Sequence, residues 1–275
     1  MATHPIRSAY GPAPQHFGDL RLPGGAGQHP VVMLIHGGFW RSHRTLDLMQ
    51  PIAEDLAARG VASWNVEYRR VANADLGTPA DPGAGWPGTL QDLAAAADHL
   101  RILAGSEPLD LRRVAVVGHS AGGHLALWLA ARPKIAGGSV EVAEGTALFG
   151  PDPLPIRAAV SLAGVNDLAE SHRRNLGAGA VAGFLGGSPA EVPDRYALAS
   201  PAELLPLGVP QVLVHGDEDE HVPIAISRIY TAAARGVGDP DIRLHEFPGL
   251  DHFAVIDPRS EAWAITVGEL VGLLG

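Results

Sequence analysis

Residues 114–123 read VAVVGHSAGG, an apolar run that leads directly into the motif Gly-His-Ser-Ala-Gly. The run at 114–117 is typical of a short buried strand, and the helical pattern of 121–131 follows at once. A sharp strand-to-helix turn leaves room only for small residues around its central serine, and it holds that side chain out at the carboxyl edge of the sheet. The helix after the turn also points its N-terminal amides at the same place, where an anion is stabilised. The motif therefore predicts a nucleophilic serine, Ser120, although Gly and Ser are also frequent in tight turns that carry no chemistry.

Outward from this motif, apolar runs alternate with stretches of helical periodicity. Buried strands are predicted at residues 31–36, 61–66, 114–117, 156–162, 212–215 and 242–247, and helices at 45–59, 89–104, 121–131, 224–234 and 259–274. Strands joined by helices of this length need crossover connections, and the sheet that they form is mostly parallel. The sequence thus predicts an α/β fold, a mostly parallel twisted sheet flanked by helices, in a single domain over residues 1–275.

Residues 166–207, which follow the predicted strand at 156–162, have a different pattern. Short apolar patches alternate there with glycines and four prolines. This composition indicates small helices and turns rather than a further layer of the sheet. We therefore expect a small cap or lid inserted after that strand.

The composition excludes several classes of protein. Hydrophobic residues make up 46% of the chain and charged residues 18%, which is typical of a globular protein. The net charge is −10 and Lys134 is the only lysine, so no basic stripe is available for a nucleic-acid partner. The absence of cysteine excludes disulfides, thiolate metal ligands and a cysteine nucleophile.

The sequence shows no pattern typical of a secretory signal or of a membrane span. The first ten residues contain no apolar signal segment, and no later apolar run reaches the roughly 18 residues that a membrane span needs. We therefore expect a soluble cytoplasmic protein that makes no membrane contact. The sequence leaves open whether the chain forms a homodimer.

A second glycine motif, HGGFW at residues 36–40, comes directly after the first strong strand. Acyl transfer places negative charge on the carbonyl oxygen, and this charge needs N–H donors about 2.7 to 3.1 Å away. Glycines allow the backbone to come this close to a substrate. The candidates for such an oxyanion hole are the amides of Gly37, Gly38 or Phe39 together with the amide of Ala121. The alternative is a plain glycine turn followed by a tryptophan of the core.

Four segments resemble, in their order and spacing, the α/β-hydrolase superfamily, and in particular its esterase and arylformamidase-like (kynurenine formamidase-like) members. They are HGGFW at 36–40, GHSAGG at 118–123, HGDEDEHVP at 215–223 and GLDHF at 249–253. The resemblance extends from about residue 31 to the end of the chain. It implies a serine hydrolase that cleaves carboxylic esters of short acyl or aryl groups, or aryl formamides, through an acyl-enzyme intermediate. Phe39 stands where many formamidases have tyrosine, so the substrate stays open.

The resemblance also implies the remaining members of a catalytic triad. In these proteins the acid is the aspartate four residues after the histidine of the HGDEDEHVP segment, which is Asp219, with Asp217 as the reserve candidate. His252 lies on a loop between the last strand and the last helix, from which a general base can reach both the serine and the acid. The chain order Ser120, Asp219, His252 is the one expected for this fold. Because the base must be neutral, we expect the rate to rise through the histidine range near pH 6.5.

Metal binding by the histidine and acidic residues is less well supported than catalysis. The pairs His119/His124 and His215/His221 do not form the H-E-x-x-H pattern of a zinc site, and the acidic residues after the strand at 212–215 lack calcium-loop spacing. No metal and no cofactor are therefore expected. The aromatic residues Trp40, Trp86 and Phe253 are candidates for walls of an apolar substrate pocket, although tryptophan is more often a core residue.

Three rival functions use the same fold. A peptidase of the prolyl-oligopeptidase type usually has a large N-terminal gating domain, whereas only about 30 residues precede the first strong strand here. A lyase or dehalogenase would normally replace the serine or alter the glycine segment. A non-catalytic binding protein for small molecules typically loses a member of the triad, and this chain retains all three. The preferred partner is thus a small-molecule ester or amide, with the peptidase and the binding protein kept as alternatives.

Overall fold

A computed structural model describes residues 4–136, 150–239 and 241–275, so the single-domain expectation for residues 1–275 also covers stretches that lie outside it. The described residues form one eight-stranded sheet. Its strands are β1 (Ile6–Ala9), β2 (Phe17–Arg21), β3 (His29–Ile35), β4 (Ala62–Val66), β5 (Leu109–His119), β6 (Ala158–Leu162), β7 (Gln211–Gly216) and β8 (Ile242–Phe247). The order across the sheet is β1-β2-β4-β3-β5-β6-β7-β8. Strands β3 to β8 pair in parallel, whereas β1 and β2 are antiparallel to their neighbours.

The continuous apolar run of β3 reflects burial on both faces of the sheet. Val31, Met33 and Ile35 pack into one hydrophobic core, and Val32 and Leu34 pack into the other. All five side chains are completely buried. Side chains of a strand alternate between the two faces, so a strand between two helical layers must be apolar at every position.

Helices cover both faces of this sheet. They are α1 (Gln50–Ala58), α2 (Gly88–Asp98), α3 (Leu100–Leu103), α4 (Ala121–Ala136), α5 (Leu168–Arg173), α6 (Ala180–Leu185), α7 (Pro193–Ala199), α8 (Ala225–Gly236) and α9 (Glu261–Leu274). Buried side chains of α1 and α9 belong to the core that contains Val32, and those of α2, α3, α4 and α8 belong to the core that contains Val31. Because the helices α4 and α9 lie on opposite faces, the sheet between them is shielded from solvent in its centre.

The six predicted strands are present, and the predicted helices differ mainly at their ends. The helix expected at 89–104 is two helices that meet at His99, and a 3₁₀ turn over Leu46–Met49 precedes α1. Strand β5 begins at Leu109 rather than 114, because its first half is polar and pairs only at the rim of the sheet. Strands β1 and β2 were not predicted. They form a short antiparallel ribbon at the edge, where exposed polar residues interrupt the apolar pattern.

The segment 166–207 contains the three short helices α5, α6 and α7 between β6 and β7, as its composition predicts. Side chains of α4 attach this segment to the sheet layer. Trp128 Nε1 donates to the carbonyl oxygen of Leu198 at 2.9 Å, and His124 Nε2 donates to that of Ala199 at 2.8 Å. None of the described helices combines the length and the apolar character that a membrane crossing requires.

Candidate active site

Ser120 occupies the turn between β5 and α4 in a strained backbone conformation. Its φ is +57°, a value in the left-handed region that non-glycine residues rarely adopt. The surrounding backbone holds this conformation, since the Ser120 amide donates to Leu162 O at 2.8 Å and the Ser120 carbonyl accepts from the amide of Gly123 at 2.9 Å. Strain of this kind costs about 1 to 3 kcal/mol and is concentrated at functional sites.

Two glycines explain why the turn can be so tight. A Cβ atom on Gly118 would lie 1.9 Å from the carbonyl oxygen of Gly122, and one on Gly122 would lie 2.1 Å from that of Ile35. Neither position can accept a side chain without movement of the backbone. The small residues that the motif requires are therefore needed for steric reasons.

The HGGFW segment passes directly beside this turn. A Cβ atom on Gly37 would lie 2.8 Å from the Cβ of Ser120, so the backbone of Gly37 packs against the serine. Gly38 and Phe39 both have positive φ, at 114° and 50°, which bends the segment around the serine. Ala121 is the first residue of α4, and the first amides of a helix have no acceptor within the helix. The backbone groups predicted for the oxyanion hole thus lie on two segments that meet at Ser120.

A buried contact between His36 and Glu67 supports the start of the HGGFW segment. His36 Nε2 lies 2.9 Å from Glu67 Oε1, and both side chains are almost completely buried. Burial would raise the pKa of Glu67, but the neighbouring His36 and Arg70 hold this pKa below its usual value. The second carboxylate oxygen of Glu67 accepts from the amide of Leu46 at 3.2 Å. Glu67 therefore connects the segment to the chain that follows it, a role that no sequence motif indicated.

Asp219 and His252 are in direct contact. His252 Nδ1 donates to Asp219 Oδ2 at 2.6 Å, and the other oxygen, Oδ1, accepts from the amides of His221 and Val222, each at 2.8 Å. Burial alone would raise the pKa of Asp219, but the hydrogen bonds from His215 and His252 hold it well below the usual range. The reserve candidate Asp217 instead accepts from the amide of Gly249 and is exposed.

His215 also donates a hydrogen bond to the carboxylate of Asp219. Its Nε2 lies 2.8 Å from the carbonyl oxygen of Val222 and 3.1 Å from Asp219 Oδ2, so this nitrogen carries the proton and donates to both. Its Nδ1 accepts from the hydroxyl of Ser227 at 2.8 Å. His215 is thus fully engaged with protein groups. In the sequence this residue served as a reference point for Asp219 and as one half of a histidine pair, without a role of its own.

His119, the residue before the serine, fixes the loop that carries His252. Its Nε2 donates to the carbonyl oxygen of His252 at 2.8 Å. Burial, and then the proximity of His252, lowers the pKa of His119 to about 3, so the ring is neutral at pH 7. Its Nδ1 is buried without a hydrogen-bond partner and faces the backbone of Gly37. His119 therefore holds the backbone of His252 in place, a role that no sequence pattern indicated.

Ser120 and His252 line one small cavity of about 70 Å³. Its walls also contain Gly38 and Phe39 of the HGGFW segment. Pockets that enclose drug-sized ligands measure about 300 to 1,000 Å³, so only a small group can be enclosed here. Burial lowers the pKa of His252, and the contact with Asp219 offsets this only in part, so the imidazole is neutral at pH 7.

Of the three aromatic residues proposed as pocket walls, the structure brings only Phe253 to this cavity. Trp40 is completely buried in the core, stacked on Phe184 with ring centroids 4.6 Å apart. Its indole nitrogen donates to His124 Nδ1 at 3.3 Å. Trp86 packs against the same core and does not line the cavity. The prediction for these two tryptophans is corrected, because Trp40 stacks on Phe184 of α6 and Trp86 packs against the same core, and neither lines the cavity.

Three of the four histidines considered as metal ligands are bonded to protein groups, and the fourth, His221, lines the cavity beside His252. His124 bridges Trp40 and the carbonyl oxygen of Ala199, while His119 and His215 bond to groups around the site described above. Across residues 4–136, 150–239 and 241–275, no group of three or more histidine or acidic side chains is arranged to hold a metal ion.

Comparison with known proteins adds a family model and a set of similar structures. The family model described as BD-FAE matches residues 19–233. No curated protein sequence matches the chain.

Three of the similar solved structures illustrate the shared architecture. A truncated carbohydrate esterase from gut microbiota superposes with a TM-score of 0.80 at 20% identity, over 99% of this chain and 96% of that one. Esterase B from Lactobacillus Rhamnosis has a TM-score of 0.77 at 21% identity, over 98% and 84%. Thermogutta terrifontis esterase 2 phosphorylated by paraoxon has a TM-score of 0.69 at 20% identity, over 99% and 92%. The sheet, its flanking helices and these likenesses confirm the predicted α/β-hydrolase fold.

Proposed function

Because the chain belongs to the BD-FAE family of α/β-hydrolase-like esterases, we propose that it hydrolyses carboxylic esters with short acyl groups through an acyl-enzyme intermediate on Ser120. The observation that carries this proposal is the convergence on one cavity of Ser120 and His252, with Asp219 bonded to the far side of the imidazole at 2.6 Å. These are the three groups that serine hydrolysis needs.

The first half of the reaction forms the acyl-enzyme. Ser120 Oγ attacks the carbonyl carbon while its proton passes to His252 Nε2, which is free to accept because Nδ1 carries the proton that binds Asp219. The oxyanion that develops is held by amides of the HGGFW segment together with that of Ala121. The bond to the leaving group then breaks, and His252 returns the proton to the departing oxygen.

The second half repeats these steps with water. A water molecule gives a proton to His252 Nε2 and attacks the acyl carbon, and the bond to Ser120 breaks as the serine recovers its proton. Asp219 remains ionised and stabilises the imidazolium that forms twice in each cycle. Its low pKa supports this role, since the carboxylate stays charged throughout.

A panel of substrates tests the proposal. We expect 4-nitrophenyl acetate to have the highest kcat/KM, and 4-nitrophenyl octanoate to be at least about tenfold worse, because the cavity at Ser120 holds about 70 Å³. N-formylkynurenine and an aminoacyl amide belong in the same panel, where we expect slower turnover than with acetate esters. A higher kcat/KM for the formamide would instead make the chain an arylformamidase.

Covalent labelling supplies a second measurement for the same panel. Paraoxon, the reagent named for the Thermogutta terrifontis enzyme, should inactivate this chain with one phosphoryl group per molecule. Peptide mass spectrometry should find that group on Ser120. Inactivation with the label on another residue would contradict the assignment of the nucleophile.

The pH profile follows from the environment of His252. Only the neutral imidazole accepts the serine proton, so kcat/KM should rise with pH through the pKa of His252 and then level off. Burial lowers this pKa from 6.5, with Asp219 opposing in part, so the midpoint should lie below 6.5 and below the value expected from the sequence. The measurement is kcat/KM for an uncharged ester from pH 4 to 9, and a midpoint above 7 would contradict the base assignment.

A further inference from the structure

An exposed arginine, Arg44, lies across the mouth of the Ser120 cavity. Its Cζ atom is 5.7 Å from the ring centroid of Phe253, on the loop that carries His252. Its Cβ and Cγ atoms pack against Gly38 of the HGGFW segment. The side chain therefore spans two segments that line the cavity, the HGGFW segment and the loop that carries His252.

The residues that line this cavity differ in charge from the chain as a whole, although the Asp219 carboxylate lies directly behind His252. The chain has a net charge of −10, yet the ionisable residues that line the cavity are Arg44 and the histidines His43, His119, His221 and His252, with no acidic residue. Burial, followed by the nearby Arg44 and Arg41, lowers the pKa of His43, so that this ring is neutral at pH 7. Arg44 is therefore the permanent cation at the mouth.

Arg44 differs from the arginines beside it in having no internal counter-ion. Arg41 pairs with Asp75, and Arg70 pairs with Asp81. Within the described part of the chain, no carboxylate forms an ion pair with Arg44, and its guanidinium contacts the face of Phe253 instead. A guanidinium has donors in a planar fork that fits a carboxylate, and these donors remain available to a ligand.

We propose that Arg44 selects esters whose leaving group carries a carboxylate, and this inference rests on the ester hydrolysis proposed above. The small cavity encloses the acyl group, so the leaving group lies at the mouth between Arg44 and Phe253. A carboxylate on it completes the missing ion pair, while an aromatic or other flat ring beside it packs against Phe253. The substrate class is thus short-chain acyl esters of hydroxy acids.

The test uses two acetate esters that differ in one charge, 4-acetoxybenzoate and its methyl ester, together with the corresponding 3-acetoxy pair. The readout is the ratio of kcat/KM for the charged and uncharged members of a pair. We expect Arg44→Gln to lower this ratio by about fivefold to tenfold, the size of one partly solvated charge-assisted contact. The change should lie mainly in KM, because the contact exists both before and during the reaction.

Matched variants separate this effect from a general loss of charge or structure. Arg44→Lys keeps the positive charge and should retain most of the ratio, whereas Arg44→Glu should reverse the preference. Arg235→Gln removes one exposed arginine near the end of α8, remote from the cavity, and should leave the ratio unchanged. Salt at about 0.5 M should reduce the wild-type preference, because it screens an exposed pair.

The outcomes for the two proposals are distinct. An Arg44→Gln ratio equal to that of the wild type in both the 3- and 4-acetoxy pairs would overturn the role of Arg44 and leave ester hydrolysis intact. An equal change of the kcat/KM ratio in Arg44→Gln and Arg235→Gln would also overturn it, since such a change would reflect the overall charge of the protein. Absence of hydrolysis for all four esters in the wild type would reject the proposed function itself, and the inference with it.

Discussion

Ser120→Ala is expected to lower kcat/KM for the best ester on the order of 10⁵-fold or more, down to the level that binding and the oxyanion hole alone provide. The reason is that, among the described residues that line the cavity, Ser120 alone carries a hydroxyl. The turn at φ +57° presents this one side chain to the cavity, and glycines that cannot accept a Cβ surround it. The measurement is steady-state hydrolysis of 4-nitrophenyl acetate, with active-site titration to exclude wild-type contamination.

The appropriate control removes a hydroxyl elsewhere. Ser106 bonds only to groups near the end of α3, so Ser106→Ala should retain wild-type kcat/KM. The thermal midpoint of Ser120→Ala should remain within a few degrees of the wild type, because the strained backbone is held by hydrogen bonds of main-chain atoms. A folded Ser120→Ala protein with more than about one tenth of wild-type activity would remove Ser120 from the mechanism.

The second large effect is expected for Asp219→Asn, which should lower kcat by about 10⁴-fold near neutral pH. Asp219 accepts hydrogen bonds from both His252 Nδ1 and His215 Nε2 through the same oxygen. An amide group directed at His252 would offer an N–H, which forces Nδ1 to accept and puts the imidazole proton on Nε2. The base would then have no lone pair for the serine proton.

Asp217→Asn is the matched control, since it makes the same chemical change two residues away. Asp217 bonds to the amide of Gly249 and does not contact His252, so this variant should keep at least about half of the wild-type kcat. If Asp217→Asn lowered kcat more than Asp219→Asn while both proteins were folded, the acid of the triad would be Asp217. Circular dichroism and thermal melting of both variants would show whether either loss is due to unfolding.

The sequence predicted the central part of the fold well because that part is buried on both faces. A strand between two helical layers must be apolar at consecutive positions, and β3 shows this at every residue from Val31 to Ile35. The edge strands β1 and β2 were missed for the opposite reason. Their pairing depends on neighbours such as Trp64 on β4, which packs over Gly18. A short, half-exposed strand has no continuous apolar pattern from which it could be predicted.

In the candidate site, some features depend on residues close along the chain and others on contacts between distant segments. Local sterics require small residues at Gly118 and Gly122, and this requirement can be recognised in a five-residue motif. The positions of His119, His215 and Arg44 depend on loops far away in sequence. His119, for example, bonds to the carbonyl oxygen of a residue 133 positions later. Their roles could not be predicted, because one sequence does not specify which loops meet at the edge of a sheet.

The amino-acid sequence by itself indicated the fold class and the strand-to-helix turn that presents Ser120, since the apolar pattern of the strands and the small residues of the motif are local features of the chain. Tertiary structure alone decided that Asp219 rather than Asp217 contacts His252, that Trp40 is a core residue, and that Arg44 spans the mouth of the cavity. These outcomes depend on how the loops at the carboxyl ends of β3, β5, β7 and β8 pack together. The physical reason is that burial and hydrogen-bond partners of a loop side chain come from other loops, and only the completed sheet places those loops side by side.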